Sequence, residues 1–219
     1  MTTQRDYFGE RLTPQERQRR REEREAQQTI DNRRLGLLVF QISWMMAFLA
    51  LVMVNWQLRF SYQTWPPPGV RAMGVWLPTL ATGLLLGAVV LARRARQRVE
   101  RDETFRGHWL AAIGLMVVFV AIMAVEWARV QTGTQYSAVF RLMTGFHSLH
   151  AVVVGAFMIN IWKNARHAAQ VDSGQAEDDG AVVRYNSANF WSVEAASKLL
   201  DFVFIAWLIF YVVLYLWRS

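Results

Sequence analysis

Thr144-Gly145-Phe146-His147-Ser148-Leu149-His150 lies inside an otherwise uncharged run from Leu142 to Trp162. Those 21 residues, at ~1.5 Å each, are enough to cross a hydrocarbon core about 30 Å thick. His147 and His150 stand at i and i+3, on one helical face. Ionisable rings at membrane depth are costly unless something pairs with them, so this face is expected to turn toward other helices rather than lipid. The preceding apolar run offers Glu126. Folding the two runs antiparallel about a short loop near Gln135 sets Glu126 opposite roughly Gly145, within about half a helical turn of His147 in depth. A buried Glu126–His147 pair between two spans is the first expectation.

The rest of the chain repeats the pattern of that run. Of 219 residues, 53% are hydrophobic, ten are Trp and thirteen are Phe, and the apolar positions fall in blocks rather than stripes. The blocks are Leu35–Gln57, Ala72–Ala92, Trp109–Arg129, Leu142–Trp162 and Leu199–Trp217. Each is near the ~17–25 residues that a membrane helix needs. Barrel strands would be about ten residues long and alternate in polarity. A soluble core would have to bury five helices that are apolar all round. The fold class is therefore an all-α integral membrane protein with five transmembrane helices.

A net charge of +7 can signal nucleic acid, but its distribution here points to a membrane and to no nucleic acid partner. Nine basic residues lie in 1–34, six in Arg93–Arg106 and three in Lys163–Arg184. The opposite side holds Arg59, Arg71, Arg129, Arg141 and Arg218. Eighteen against five sets the N-terminus in the cytoplasm and the C-terminus outside. The charge-rich segment 1–34 before the first span is not the start of a signal peptide, and the apolar run after it is too long for one. Two parts follow: a charged cytoplasmic N-terminal segment, 1–34, and a membrane domain, 35–219. Without cysteine there are no disulfides, iron–sulfur clusters or thiolate metal sites.

Thr13-Pro14-Gln15-Glu16 reads as a helix start, with Thr13 as cap, Pro14 at the first helical position and Glu16 closing a capping box. The helix that follows, Arg17–Gln28, is polar all round, with Glu16–Arg20 and Arg21–Glu25 at i,i+4 spacing. Two readings stand for it: a solvated helix, or an arm that docks on a partner. The first span holds Gln41 and Ser43 and ends near an interfacial Trp56. Trp65-Pro66-Pro67-Pro68-Gly69 cannot be helical, and Tyr62 and Trp65 suit the headgroup zone. Ala81, Gly83, Gly87 and Ala88 give the second span small residues for close helix approach. Arg93 to Arg106 reads as a cytoplasmic loop, and the segment with Asp172 and Glu177-Asp178-Asp179-Gly180 as a mobile acidic one. At the start of the last span Glu194, Lys198 and Asp201 share one face by spacing and should neutralise one another. A structural ion network and a proton relay are both compatible with that spacing. For Glu126, the alternative to His147 is an interfacial pairing with Arg129 at i+3.

Catalytic signatures are missing. His108 and His167 sit at cytoplasmic helix ends, while His147 and His150 share a helix, so they do not supply axial ligands from two sides of a haem. There is no phosphate loop, nucleophile elbow or dinucleotide fingerprint. A small b-type cytochrome should show a haem band in the isolated chain. A small transporter should show an inverted repeat or broken helices, and neither is visible.

At these residues the chain resembles subunit III of the haem-copper respiratory oxidases (cytochrome c and quinol oxidases), in its short five-span form. The family's threonine-glycine-phenylalanine-histidine-x-leucine-histidine signature matches Thr144 to His150. Its span-closing glutamate matches Glu126, followed by Trp127 in place of the usual tyrosine. Pro78-Thr79-Leu80 matches the opening of an earlier span, and Asp201 the aspartate of the last one. The likeness covers about Leu35 to Leu216. Two departures stand out: Ser43 is followed by Trp44 where the family carries glutamate, and Ser197-Lys198-Leu199-Leu200 replaces the usual tryptophan-histidine before the aspartate.

The resemblance implies a non-catalytic subunit in the plasma membrane of a prokaryote, packed directly beside subunit I and in contact with other oxidase subunits and membrane lipid. It implies no cofactor in this chain, haem and copper in its partners, and phospholipid held in a cleft between the first two spans and the rest. The implied role is to stabilise subunit I during turnover and to assist proton or oxygen access. A subunit-III-like component associated with nitric oxide reductase, or an assembly factor, is the neighbouring reading.

Overall fold

The computed structural model describes residues 13–101, 103–175 and 187–217, with side chains described outside 166–189. Five helices account for most of them: α1, Pro14–Phe60; α2, Trp76–Glu100; α3, Arg106–Arg129; α4, Gln135–Gln175; and α5, Ser187–Tyr211, which widens into a π-helical turn, Val212–Leu216. Among the described residues there is no strand. All five helices are long and apolar enough to cross a membrane.

The start of α1 is the expected capping box. Glu16 accepts from the Thr13 backbone N–H at 2.7 Å, and the Glu16 N–H donates to the Thr13 hydroxyl at 3.3 Å. From there α1 runs without a break for 47 residues, about 70 Å, where the sequence suggested a polar helix and a separate span. Nothing between them, neither Pro nor Gly pair, stops the helix. The described residues up to Ile42 form one unit, in which i,i+4 contacts join Arg19 to Glu23 and Gln27 to Asp31, each at 3.1 Å.

The unit from Ser43 onward holds the end of α1 and a ring of four helices, with α2 against α3 and α5, and α4 against the same two. Sequence spacing explains the ring. Ala81, Leu85, Ala88, Ala92, Ala95 and Val99 recur at intervals of three and four and are all buried, a narrow seam of mostly small side chains along α2. On α3, Trp109, Ala112, Met116, Phe119, Met123 and Glu126 repeat the same intervals. Val117, Leu149, Val152 and Ile205 stay half or more exposed on the outside, the arrangement of a bundle whose solvent is hydrocarbon. Of the small residues singled out on α2, Ala81 and Ala88 are in the seam. At Gly87 an added Cβ would stand 3.1 Å from Leu115, and at Gly83 it would meet open space.

Polar side chains stitch the ring together. The Trp109 indole donates to the Met158 carbonyl at 2.9 Å, joining α3 to α4. The Trp207 indole donates to the Thr82 hydroxyl at 2.8 Å, joining α5 to α2. Such bonds satisfy groups that lipid cannot, at ~0.6–2 kcal/mol each.

Several expected boundaries move. The Arg93–Arg106 loop shrinks to 101–105, because α2 continues to Glu100. Asp172 falls within α4, while Glu177-Asp178-Asp179-Gly180 lies outside the described residues. The triple-proline stretch is non-helical as expected, with a cis Trp65–Pro66 bond, Gly69 at φ 82° and a buried Trp65 ring beside Tyr136. The division of the bundle also differs: α2 packs against α3 and α5 as part of the four-helix ring, where the expectation grouped it with the first span.

Candidate functional site

His147 and His150 are both buried, and the rings around them are aromatic. His147 lies 5.6 Å from Phe119 of α3, 5.4 Å from Trp207 of α5 and 5.8 Å from Phe48 of α1, between ring centroids. His150 lies 4.5 Å from Trp44 and 5.4 Å from Phe202. As their i,i+3 spacing predicts, the two histidines turn inward, onto α1, α3 and α5. Among the described residues, none of their four ring nitrogens has a hydrogen-bond partner, nor has the neighbouring Ser148 hydroxyl.

The expected Glu126–His147 pair is not formed. Glu126 is buried, but its carboxylate accepts from the Tyr215 hydroxyl at 3.5 Å. The matched depth was sound and the azimuth was not. Successive helical residues are ~100° apart, so depth alone does not aim a side chain. Trp127, one residue past Glu126, lies against Gly145 and donates its indole N–H to the Thr144 hydroxyl at 2.7 Å. Glu126 therefore turns toward the last helix, and His147, ~200° beyond Gly145, turns away from it.

Glu194, Lys198 and Asp201 divide between two bridges. Lys198 and Glu194 form the expected i,i+4 pair at 2.8 Å, while Asp201 meets Arg93 of α2 at 3.0 Å. That partner is one long-range step away, with no spacing rule to reveal it.

Arg59 is the functional-looking residue that sequence reasoning missed. It is buried, donates to Asn55 Oδ1 at 2.9 Å and to the Trp217 carbonyl at 2.6 Å, and also donates to the Val213 carbonyl. Its guanidinium also sits 5.6 Å from the Trp217 ring centroid. The carbonyls at a helix end lack intrahelical donors, and the fork of Arg59 supplies them where α5 opens into its π turn. Asn55 and Arg59 at i,i+4, closing an apolar run, were the available signal.

Glu126 also lines a cavity of about 640 Å³ with Arg71, Met73, Trp76, Leu77 and Arg129. Among the described residues no group of three or more His, Cys, Asp or Glu could hold a metal ion.

The family described as "Cytochrome c oxidase subunit III" matches residues 22–219. The chain belongs to that family. Subunit III relatives include cytochrome c oxidase subunit 3 of Thermostichus vulcanus, 28% identical over 85% of this chain and 88% of that protein. The subunit 3 of Branchiostoma lanceolatum is 26% identical over 85% of this chain and 70% of its own length, and that of Synechocystis sp. 22% over 85% and 76%. The chain is thus a multi-pass membrane subunit III of a haem-copper oxidase, associated with other oxidase subunits in a respiratory complex. The family match does not favour the nitric oxide reductase component, the b-type cytochrome or the transporter.

Proposed function

We propose that this subunit III is non-catalytic and packs directly against the haem- and copper-bearing subunit I, stabilising it during turnover and supporting proton or oxygen access. The observation that carries this reading is the enclosure of His147 and His150 by Phe48, Phe119, Phe202 and Trp207 of the same chain. Rings surrounded by aromatic neighbours make a rigid scaffold rather than a ligand set. Buried Glu126 and Glu194, with the partly exposed Lys198 and Asp201, serve that scaffold as structural polar contacts. The protein resides in the plasma membrane of a prokaryote, N-terminus inside and C-terminus outside, with phospholipid bound to it.

Two measurements test the reading. Oxidase prepared with and without this subunit should start at the same rate, and the preparation lacking it should lose activity faster during turnover. Equal decay contradicts the stabilising role. A reporter fused after Ser219 should be external and one at Gly174 cytoplasmic; both on one side contradicts the topology.

A further inference from the structure

The cavity beside Glu126 holds an unusual mixture of charges. Arg71, from the segment before α2, and Arg129, the last residue of α3, line its rim, and the Glu126 carboxyl lines its buried part. Among the described residues, neither guanidinium is engaged in a salt bridge or a hydrogen bond. Trp76 and Leu77, the first residues of α2, complete the wall, and the Val75 side chain makes no cap bond to that helix end. Two cations beside a helix start favour an anion, and a phosphate ester is the one that guanidinium forks match best. A bare phosphate would leave Glu126 facing like charge. A ligand that carries an amine a few bonds from its phosphate meets both signs. The volume is in the range of small-molecule sites, ~300–1,000 Å³.

We propose that this cavity binds an amine-bearing phosphate ester, with the phosphate between Arg71 and Arg129 and the ammonium toward Glu126. Lipid is the source that the surroundings suit. Trp76 is 86% exposed and Leu80, one turn on, 55%, so an apolar flank continues from the cavity along the outside of α2 for acyl chains. The site deepens the phospholipid part of the proposed function and rests on it, and it differs from the cleft that the family resemblance implied.

The test uses the intact oxidase complex in mild detergent with a phosphatidylethanolamine whose headgroup carries a photoreactive probe. Peptide mapping should find label on 71–77 and 126–131. Arg71→Gln with Arg129→Gln should cut that label at least tenfold while leaving label elsewhere on the complex unchanged. Glu126→Gln should remove the preference over phosphatidylglycerol and keep the binding. O-phosphoethanolamine that displaces the probe as well as unlabelled lipid assigns the same chemistry to a soluble ligand; failure to displace it assigns the lipid. Two results overturn the site: wild-type complex labelled elsewhere but not on these segments, or arginine variants labelled like wild type. A complex with no bound phospholipid at all would instead overturn the broader lipid reading.

Discussion

The indole of Trp127 rests directly on the backbone of Gly145: a Cβ at that glycine would stand 2.9 Å from Cζ2 and 3.1 Å from Cη2 of the ring. The ring is tied there by its bond to Thr144, whose hydroxyl in turn donates to the Phe140 carbonyl at 2.6 Å. This contact fixes how α3 and α4 face one another, and with it the directions of Glu126 and His147.

Gly145→Ala sets two effects against each other. Alanine improves a helix interior by roughly 0.5–1 kcal/mol, while overpacking a fitted contact costs about 1–3. Because the hydrogen bond to Thr144 holds the ring, overpacking should win by about 1–2 kcal/mol. Thermal melts in detergent should show a lower midpoint for Gly145→Ala, and adding it to Trp127→Leu should cost nothing further. A higher midpoint for the single variant would show that the ring moves freely.

Glu126 and His147 should behave as independent sites. In a double-mutant cycle with Glu126→Gln and His147→Leu, the losses should add within ~0.5 kcal/mol, because the two side chains share no bond. The cycle of Glu126→Gln with Tyr215→Phe should show coupling above that. Coupling between Glu126 and His147 instead would restore the pair expected from depth alone.

Arg59→Ala removes the donors that hold the end of α5 and should cost about 2–4 kcal/mol, since two buried acceptors, on Asn55 and Val213, lose a charged partner together. Arg59→Lys keeps the charge and loses the fork, so it should recover less than half. Hydrogen exchange should quicken at Val212–Leu216 in the alanine variant; unchanged protection there would mean that the π turn holds itself.

How far the sequence carried the structure follows from the range of each rule. The five spans, the Thr13–Glu16 cap, the inward face of His147 and His150, and the Lys198–Glu194 pair all depend on length or on spacings of three and four within one helix. These are local quantities. The Arg93–Asp201 bridge, the hold of Arg59 on Val213 and Trp217, and the turn of Glu126 toward Tyr215 depend on the rotation of one helix against another. Periodicity says which face is buried and leaves open which neighbour covers it. Composition also does not mark where a charged helix passes into an apolar one, so α1 and α2 ran further than their apolar blocks.

The most direct test of the central claim is isolation through an affinity tag on this chain, from native membranes in mild detergent, with haem and copper assayed in the product. The account predicts a complex with one haem-copper subunit I per tagged chain, with the metals and haem remaining with subunit I when this chain is dissociated. Recovery with no haem-copper subunit, or haem that stays with the separated chain, would contradict it.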